Sequence, residues 1–486
     1  MSLAGITLLG LGPGDPALLT RQAWETLTNL EEIYLRTKQH PTVAGLPAGL
    51  RLNSFDYLYE DGESYASVYD QIVEQVLELG RRPQGVVYAV PGHPFVAEAT
   101  SPEIARQARE IGIPVRLIEG ISFLEATFTA LQIDPFPQMA LIDALVLVSR
   151  HYQPFPPSMP AVIAQIHSPA IASEVKLTLM AAYPDEHLVQ MVHRAGQVDV
   201  LVETLPLYEI DRSTQTGLLT ALYVPALGER TSFEAFQEII AHLRAPDGCP
   251  WDREQTHQTL RSHLLEEAYE VLAALDAEDS VSLREELGDL LLQIVLHAQI
   301  ASEYGEFTMA DVLEGIQNKL IRRHPHVFGD LKITEPRRVI ENWERLKAAE
   351  RDAYGKENQS ILEGVPLALP ALAQAEAYQK RAARVGFDWP NLHGVLEKIE
   401  EELQEIHAAG NETERAWELG DLLFAVVNLA RWLDVDAESA LRQANARFRD
   451  RFISIENAAR SQGRELTTLT LDEMDALWEE AKDNET

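Results

Sequence analysis

The chain has 486 residues, with 41 Lys and Arg against 76 Asp and Glu, and so a formal charge of −35. This length exceeds what one hydrophobic core usually organises, which predicts several domains, and the charge argues against broad contact with nucleic acid or anionic lipid. The single cysteine, Cys249, cannot form an internal disulfide, which favours a reducing, cytoplasmic compartment. We expect no signal peptide and no membrane span, because the N-terminus lacks a basic region and no apolar run is long enough.

The first 225 residues alternate the signals of strands, turns and helices. Short apolar, β-branched runs at 6–11 and 85–90 end in Gly/Pro turns, as buried strands do, and 64–78 has helical spacing. This part also holds 19 of the 26 prolines. The alternation predicts an α/β domain over 1–225.

The residues after a predicted linker at 224–232 have a different composition. Leu, Ala, Glu and Arg recur there with helical periodicity and few helix breakers, which predicts an all-helical region. Three motifs of this region occur twice in the same order, starting at Glu266, Glu286 and Trp343 and again at Glu401, Glu418 and Trp478. We therefore predict two tandem helical modules, module one at 226–355 and module two at 362–486, with a seam near 355–370.

Each module carries two pairs of carboxylates spaced i, i+3 on consecutive predicted helices. Residues with this spacing share one helix face, and the polar segment 276–282 suits the turn of a hairpin that brings the pairs of module one together. The eight carboxylates are Glu267, Glu270, Glu286 and Asp289 in module one and Glu402, Glu405, Glu418 and Asp421 in module two. Clustered anions repel one another, and oxygen ligands suit Mg²⁺ or Mn²⁺. The alternative is a solvated acidic helix face, but recurrence in a second copy favours a metal site.

Basic residues follow the carboxylates in both modules of an otherwise acidic chain. Lys319 and Arg323 in module one occupy the positions of Arg447 and Arg451 in module two. Cations beside a metal site suit a triphosphate, because the metal binds some phosphate oxygens and Lys or Arg neutralises the rest. The alternative is a basic helix that balances the acidic hairpin.

Several separated motifs resemble, in order, those of the MazG family of nucleoside-triphosphate pyrophosphohydrolases. They are Gly248-Cys-Pro-Trp-Asp-Arg-Glu-Gln-Thr-His257, the EExxE and ExxD carboxylate pairs, and Arg323-His-Pro-His-Val-Phe328. The resemblance covers 230–486 and implies an all-α fold that dimerises, with Mg²⁺-dependent cleavage of a nucleoside triphosphate to a monophosphate and pyrophosphate. Module two departs from the family pattern, since Gly386-Phe-Asp-Trp-Pro390 replaces the Cys-Pro-Trp-Asp opening.

The resemblance also assigns roles to particular side chains of this sequence. It implies that the eight carboxylates are metal ligands and that Lys319, Arg323, Arg447 and Arg451 contact phosphates. We further predict that Glu266 and Glu401, the leading glutamates of each EExxE, orient the attacking water. Both modules keep all four carboxylates, so the metal ligands do not decide which module is catalytic.

Three glycine-containing loops in the first 225 residues resemble those of the tetrapyrrole (corrin/porphyrin) methylase family. They lie at 6–16, 90–95 and 119–124. The first is not a dinucleotide fingerprint, since its glycines run G-x-G-x-G. The resemblance implies a two-lobed α/β domain that binds S-adenosylmethionine in its cleft. The candidate cofactor-binding residues are Gly10, Gly12, Gly14, Asp15, Gly92, His93 and Ser122.

Together these patterns predict a multidomain protein with a two-lobed α/β methylase-like domain and two all-α helical modules. The first hypothesis is a Mg²⁺-dependent nucleoside-triphosphate pyrophosphohydrolase of nucleotide-pool house-cleaning, with an accessory methylase-like domain. The alternatives are an S-adenosylmethionine-dependent tetrapyrrole methyltransferase with a structural or regulatory helical tail, and a scaffold whose helices mainly dimerise. We expect nucleoside triphosphates as partners, a homodimer through the helical modules, and no nucleic-acid polymer or membrane.

Overall fold

The computed structural model describes residues 5–61, 64–353 and 360–483. Its contacts divide the chain into a first unit, Met1–Gly248, and a second unit, Cys249–Thr486. The first unit contains two β-sheets with helices, and the second is built from helices. The predicted order, an α/β part followed by a helical part, is confirmed.

The first sheet has five parallel strands in the order β3-β2-β4-β1-β5. Its strands are β1 (Ile6–Gly10), β2 (Glu32–Leu35), β3 (Arg51–Ser54), β4 (Val86–Val90) and β5 (Val115–Ile118). The helices of this lobe are α1 (Arg21–Thr28), α2 (Asp56–Asp61), α3 (Tyr65–Gly80), α4 (Thr100–Glu110) and α5 (Phe123–Leu131). β1 and β4 are buried along their whole length, with a hydrophobic cluster on each face, as is typical of parallel sheets.

The second sheet is mixed, with strands in the order β6-β7-β10-β8-β9. Its strands are β6 (Ala140–Asp143), β7 (Ala161–Ala164), β8 (Leu188–His193), β9 (Leu201–Pro206) and β10 (Thr220–Val224). The accompanying helices are α6 (Ala144–Val148), α7 (Pro169–Leu179) and α8 (Phe233–Arg244). β6 and β7 run parallel, whereas the other neighbouring strands are antiparallel. The two sheets form the two lobes that we predicted.

The elements predicted from local patterns in the first unit are confirmed. The runs at 6–11 and 85–90 are β1 and β4, and the helical spacing at 64–78 is α3. Ser64 caps α3, because its hydroxyl accepts a hydrogen bond from the Ser67 backbone N–H. β1 and β4 are direct neighbours in parallel register, so the turns that follow both strands lie at the same edge of the sheet.

The second unit is helical in the parts that the structure describes. Its helices are α9 (Pro250–Glu254), α10 (Arg261–Asp276), α11 (Ser280–Glu303), α12 (Met309–Arg323), α13 (Pro325–Phe328), α14 (Pro336–Ala353), α15 (Ala371–Arg384), α16 (Leu392–Ala408), α17 (Glu412–Trp432), α18 (Ala437–Ser461) and α19 (Leu471–Asp483). α10 packs against α11, and α16 packs against α17. The hairpin turn predicted at 276–282 is confirmed: Asp279 caps α11 by accepting hydrogen bonds from two backbone N–H groups.

The predicted linker and seam lie between elements. Residues 224–232 separate β10 from α8, although the division by contacts places α8 in the first unit. In the seam, 355–359 lie outside the described residues, and α15 begins directly after Pro370. The domain borders therefore stay predictions. Among the helices that the structure describes, none is both long enough and apolar enough to cross a membrane.

Candidate metal and nucleotide sites

The module-one cluster consists of three glutamates on the α10–α11 hairpin. One carboxylate oxygen from each of Glu267, Glu270 and Glu286 lies within 4.8 Å of the others. Glu267 and Glu270 share a face of α10 because of their spacing, and the hairpin brings Glu286 of α11 against them. Asp289, the fourth residue predicted here, lies outside this group of three.

Burial and mutual repulsion perturb the module-one cluster. Burial, followed by the charges of Asp289 and Glu270, raises the pKa of Glu267. Burial and the charge of Glu270 likewise raise the pKa of Glu286. Within the part of the chain that the structure describes, no basic side chain forms an ion pair with any of the three glutamates. A bound divalent cation would relieve the repulsion, and the all-oxygen donor set fits Mg²⁺ or Mn²⁺.

The module-two cluster repeats this geometry on the α16–α17 hairpin. One carboxylate oxygen from each of Glu402, Glu405 and Glu418 lies within 4.8 Å of the others. Glu402 is 3% exposed, and its Oε2 atom has no hydrogen-bond partner among the described residues. Burial, Glu402 and Glu418 raise the pKa of Glu405. A buried carboxylate oxygen without a partner, beside two more carboxylates, fits a cation ligand.

The two clusters differ at the residue one helical turn before each EExxE motif. In module two this residue is Lys398, whose Nζ lies 2.7 Å from Glu402 and 3.1 Å from Glu401. Hydrogen bonds to these two carboxylates raise the pKa of Lys398. In module one the residue is His263, whose Nδ1 lies 3.7 Å from Glu266. The module-two cluster thus contains a fixed positive charge.

A cavity of about 720 Å³ adjoins the module-two cluster. Its wall includes Glu402 and Asp421, which are two of the predicted metal ligands, together with Lys398. Gln379 also lines it and is 7% exposed. The side-chain N–H of Gln379 donates to the Phe424 carbonyl at 2.8 Å, while its Oε1 has no partner among the described residues. Gln379 thus brings a buried acceptor without a partner among these residues to the cavity wall.

An ion pair forms another part of the cavity wall. Arg431 pairs with Asp388, which also accepts a hydrogen bond from the indole N–H of Trp432 at 3.3 Å. Burial acts to raise the pKa of Asp388, but the hydrogen bonds from Arg431, the Trp389 backbone N–H and Trp432, together with the Arg431 charge, outweigh it and the pKa is lowered. Trp389 lines the same cavity. Aromatic surface with a few oriented polar groups is typical of small-molecule pockets.

The predicted phosphate contacts of module one lie beside an acidic residue. Arg323 and its neighbour Arg322 both pair with Glu350 of α14, with Arg322 Nη2 at 2.8 Å from the carboxylate. The ammonium of Lys347 lies 3.4 Å from the centre of the Trp343 ring, a cation–π contact. The arginines of module one are therefore neutralised by a carboxylate in this state.

The corresponding basic residue of module two also lies beside an aromatic ring. The Arg451 guanidinium carbon lies 5.3 Å from the centre of the Trp478 ring, which also packs against Phe448. The other predicted catalytic residues are exposed: Glu266, Lys319, Glu401 and Arg447. The Arg323 guanidinium carbon of module one likewise lies 5.8 Å from the centre of the Trp343 ring. In both modules the predicted cation therefore lies over the repeated tryptophan, and Arg323 also pairs with Glu350.

The three glycine loops of the first unit converge at one edge of the first sheet. Gly12 and Gly92 exchange backbone hydrogen bonds of 3.2 and 2.8 Å. A Cβ on Gly10 would lie 2.6 Å from backbone atoms of both Gly92 and Gly120, so this approach requires glycine. The loops therefore form one continuous backbone surface.

Other predicted cofactor-binding residues of the first unit stabilise local structure. Asp15 accepts a hydrogen bond from the Ala17 backbone N–H at 2.8 Å. Ser122 caps α5 in a capping box with Glu125. His93 accepts from the Phe95 backbone N–H at 3.0 Å through Nδ1. The Gly14 carbonyl accepts from the buried Thr42 hydroxyl at 3.0 Å.

A cavity of about 670 Å³ lies in the first unit, and of the seven predicted residues Gly92 lines it. Two buried polar atoms of its wall, His40 Nδ1 and Thr127 Oγ1, have no partner among the described residues. Burial lowers the pKa of His40 to about 4, so this imidazole is neutral at pH 7. Arg36 and Glu98 form a largely buried ion pair in the same wall.

Family models and curated relatives match the helical part of the chain. The model of the MazG nucleotide pyrophosphohydrolase domain matches 255–328, and that of phosphoribosyl-ATP pyrophosphohydrolase matches 369–448. The nucleoside triphosphate pyrophosphohydrolase/pyrophosphatase MazG of Thermotoga maritima is 47% identical over 51% of this chain and 95% of its own. The chain belongs to the MazG family. The nucleoside triphosphate pyrophosphohydrolase of Escherichia coli K12 is 45% identical over the same shares.

This MazG-family chain has a further N-terminal part. The model of tetrapyrrole (corrin/porphyrin) methylases matches 5–211. The Bacillus subtilis protein YabN is 42% identical over 99% of both chains, so it shares the whole arrangement. The structure of uroporphyrin-III-C-methyltransferase from Thermus thermophilus is 20% identical with a TM-score of 0.36, over 46% of this chain and 93% of its own. The predicted fusion of a methylase-like domain with tandem MazG-type modules is confirmed.

Sequence reasoning missed several residues that the structure brings into these sites. Lys398 could have been found by aligning the two copies, because it stands at the position of His263. Gln379 of α15 lines the module-two cavity. Arg36 pairs with Glu98, which lies 62 positions later in the sequence. Such contacts between distant segments leave no local pattern in the sequence.

Proposed function

We propose that this MazG-family protein hydrolyses nucleoside triphosphates to a monophosphate and pyrophosphate at its carboxylate clusters. The observation that carries the proposal is the convergence of three glutamates within 4.8 Å on each hairpin. The raised pKa values of Glu267, Glu286 and Glu405 support a site that is completed by a cation. The activities in the names of the Thermotoga maritima and Escherichia coli relatives support the same reaction.

The proposed cofactor is Mg²⁺, with Mn²⁺ as an alternative of the same coordination chemistry. The proposed ligands are Glu267, Glu270, Glu286 and Asp289 in module one and Glu402, Glu405, Glu418 and Asp421 in module two. When bound, the metal supplies positive charge that stabilises the charge developing on phosphate oxygens. The glutamates would hold it between two packed helices of the same hairpin.

The reaction requires a water molecule to attack the α-phosphorus. A bond forms between the water oxygen and that phosphorus, the bond to the oxygen bridging the α- and β-phosphates breaks, and pyrophosphate leaves with that oxygen. We assign orientation of the water, and acceptance of its proton, to Glu266 or Glu401, each directly before a cluster residue. Lys398 lies 3.1 Å from Glu401 and holds that carboxylate beside the module-two cluster.

The basic residues and the module-two cavity supply the remaining parts of the proposed site. Lys319, Arg323, Arg447 and Arg451 neutralise phosphate charge by charge-assisted hydrogen bonds. The cavity of about 720 Å³ has room for a nucleoside beside the cluster, and Gln379 Oε1 accepts from it. The proposed role is removal of unwanted nucleotides from the cellular pool.

The carboxylates are tested by pyrophosphate release from mixed nucleoside triphosphates in Mg²⁺. We expect the double variant Glu270→Gln with Glu405→Gln to lose activity about 100-fold or more, because each cluster loses a ligand charge. The two single variants show how much of the pyrophosphate release each module contributes. Glu314→Gln, which neutralises an exposed carboxylate of α12, is the matched control and keeps wild-type activity. Full activity in the double variant would remove the carboxylate clusters from the reaction.

The first unit supports a second candidate function, binding of S-adenosylmethionine. The specific observation is the backbone surface formed by Gly10, Gly12, Gly92 and Gly120 next to a cavity with two unpartnered buried polar atoms. We propose that this unit binds the cofactor and acts as an accessory methylase-like domain. Isothermal titration with S-adenosylhomocysteine tests it, and no heat of binding at millimolar ligand would reject it.

We also propose a homodimer through the helical modules. Leu287, Leu291 and Ile294 form an apolar row on α11 and are 49%, 38% and 44% exposed. Leu419, Leu423 and Val426 repeat this row on α17, with 50%, 51% and 45% exposure. Exposed apolar rows at helical spacing are typical of helix-packing interfaces. Light scattering of the purified chain should give twice the monomer mass, and a monomer at all concentrations would reject the dimer.

A further inference from the structure

The two carboxylate clusters have the same backbone frame but a different residue three positions before the first glutamate of EExxE. His263 stands there on α10 and Lys398 stands there on α16. Both side chains point at the leading glutamate of their own motif, at 3.7 Å for His263 and 3.1 Å for Lys398. Lys398 also forms an ion pair with a cluster residue, Glu402, at 2.7 Å.

Glu402 is buried, so its ion pair with Lys398 offsets the cost of removing a carboxylate from water. The Glu402 side chain is 4% exposed, and the Lys398 side chain is 34% exposed. A carboxylate taken out of water needs a counter-charge, and a lysine carries a full charge at neutral pH. The other oxygen of Glu402 still has no partner in the described part of the chain and lines the cavity with Lys398. One carboxylate oxygen of Glu402 is therefore paired with Lys398, and the other has no partner among the described residues.

Module one lacks such a partner among the residues that the structure describes. In that part of the chain, Glu267, Glu270 and Glu286 form no ion pair with a basic side chain. The His263 side chain lies beside Glu266, which is not one of the three cluster glutamates. The four predicted ligands of module one thus carry up to one more net negative charge than those of module two taken with Lys398.

We propose that Lys398 is a built-in counter-cation of the module-two cluster, so that module two binds a divalent cation more weakly than module one when no nucleotide is present. This inference rests on the proposed metal-dependent function. Module one holds its metal before the substrate arrives. Module two takes up its metal together with the triphosphate, because the phosphates restore the negative charge that Lys398 offsets. Lys398 acts on Glu402 and is a positioning residue.

The test is a titration of the full chain with Mn²⁺ in the absence of nucleotide, with free Mn²⁺ measured by electron paramagnetic resonance. We expect two classes of site in the wild type, with affinities that differ about tenfold, as one unit charge near a divalent ion can produce. Glu270→Gln should remove the tight class, and Glu405→Gln should remove the weak class. These variants assign each class to a module.

Exchanging Lys398 and His263 between the modules then tests the effect of the positive charge on metal affinity. Lys398→His should tighten the weak class about tenfold, and His263→Lys should weaken the tight class by a similar factor. Lys398→Arg keeps the charge and should keep both classes as in the wild type. Lys398→Gln provides a second neutral variant of nearly the same length, and circular dichroism confirms that each variant is folded.

The outcomes separate the inference from the function on which it rests. No Mn²⁺ bound by the wild type would contradict the proposed metal-dependent function. Mn²⁺ bound with the same affinities in Lys398→His, Lys398→Gln and Lys398→Arg would overturn the role of Lys398 and leave the metal sites standing. Tightening in both neutral variants, without change in Lys398→Arg, supports the counter-cation.

Discussion

Modules one and two share the order of their helices but differ in the charges around their carboxylate clusters. Both build the cluster in the same way, from a pair of glutamates on one helix and a third on the next. In module two Lys398 lies against a buried glutamate. In module one His263 stands at this position and lies beside the exposed Glu266 and the Trp251 ring. The backbone frame is thus kept while the surrounding charges diverge.

The two modules also place their arginine–carboxylate pairs at different positions. In module one the predicted phosphate contact Arg323 pairs with Glu350. Arg323 and its counterpart Arg451 both lie over the repeated tryptophan, Trp343 or Trp478. In module two a different arginine, Arg431, pairs with Asp388 in the cavity wall. A duplicated hairpin can therefore keep its glutamate cluster while the ion pairs of the nearby arginines change. Three variants test this comparison.

The largest expected effect is on the stability of module two. Lys398→Met leaves Glu402 buried without its counter-charge, which should cost about 2 kcal/mol of unfolding free energy in the metal-free protein. The matched variant His263→Met should cost less than about 0.5 kcal/mol, because its partner is exposed. Urea denaturation followed by circular dichroism measures both. Equal losses in the two variants would break the comparison.

A smaller effect is expected on nucleotide affinity in module one. Glu350→Gln removes the charge that neutralises Arg322 and Arg323, so a triphosphate analogue resistant to hydrolysis should bind about fivefold more tightly. The titration is made in the Glu405→Gln background, which reports on module one. Glu314→Gln serves as the charge-matched control on α12. Unchanged or weaker binding would show that Glu350 does not compete with phosphate.

The smallest effect is expected at acid pH in the cavity wall of module two. The folded state lowers the pKa of Asp388, so its contribution to stability is present above the ordinary value near 3.9 and is lost as pH falls through the folded value. Asp388→Asn removes this contribution and should move the acid unfolding midpoint slightly upward. Tryptophan fluorescence reports it through Trp389 and Trp432. Superimposable curves would show that the Arg431 pair adds no stability.

Local patterns were sufficient for the frame of the molecule. The apolar runs at 6–11 and 85–90, the turn at 276–282 and the repeated glutamates each depend on neighbours along the chain, and each lies where it was predicted. The i, i+3 spacing was less informative for Asp289 and Asp421. Both lie outside the groups of three, although the charge of Asp289 still contributes to the raised pKa of Glu267.

Contacts between distant segments could not be predicted in this way. Gln379 reaches the module-two cavity because α15 packs against α17, and its amide is fixed by the Phe424 carbonyl. The Arg36–Glu98 pair joins the ends of two different elements of the first unit. Neither pair has a periodic signal, since each depends on the packing of separate helices or strands. The comparison of the two copies could have shown only Lys398.

The most direct test of the central claim is product analysis of the purified full chain with a nucleoside triphosphate and Mg²⁺. Anion-exchange chromatography separates the products. The account predicts equal amounts of nucleoside monophosphate and pyrophosphate, and no reaction in the presence of EDTA. Nucleoside diphosphate and inorganic phosphate as products, or equal turnover with EDTA, would contradict it.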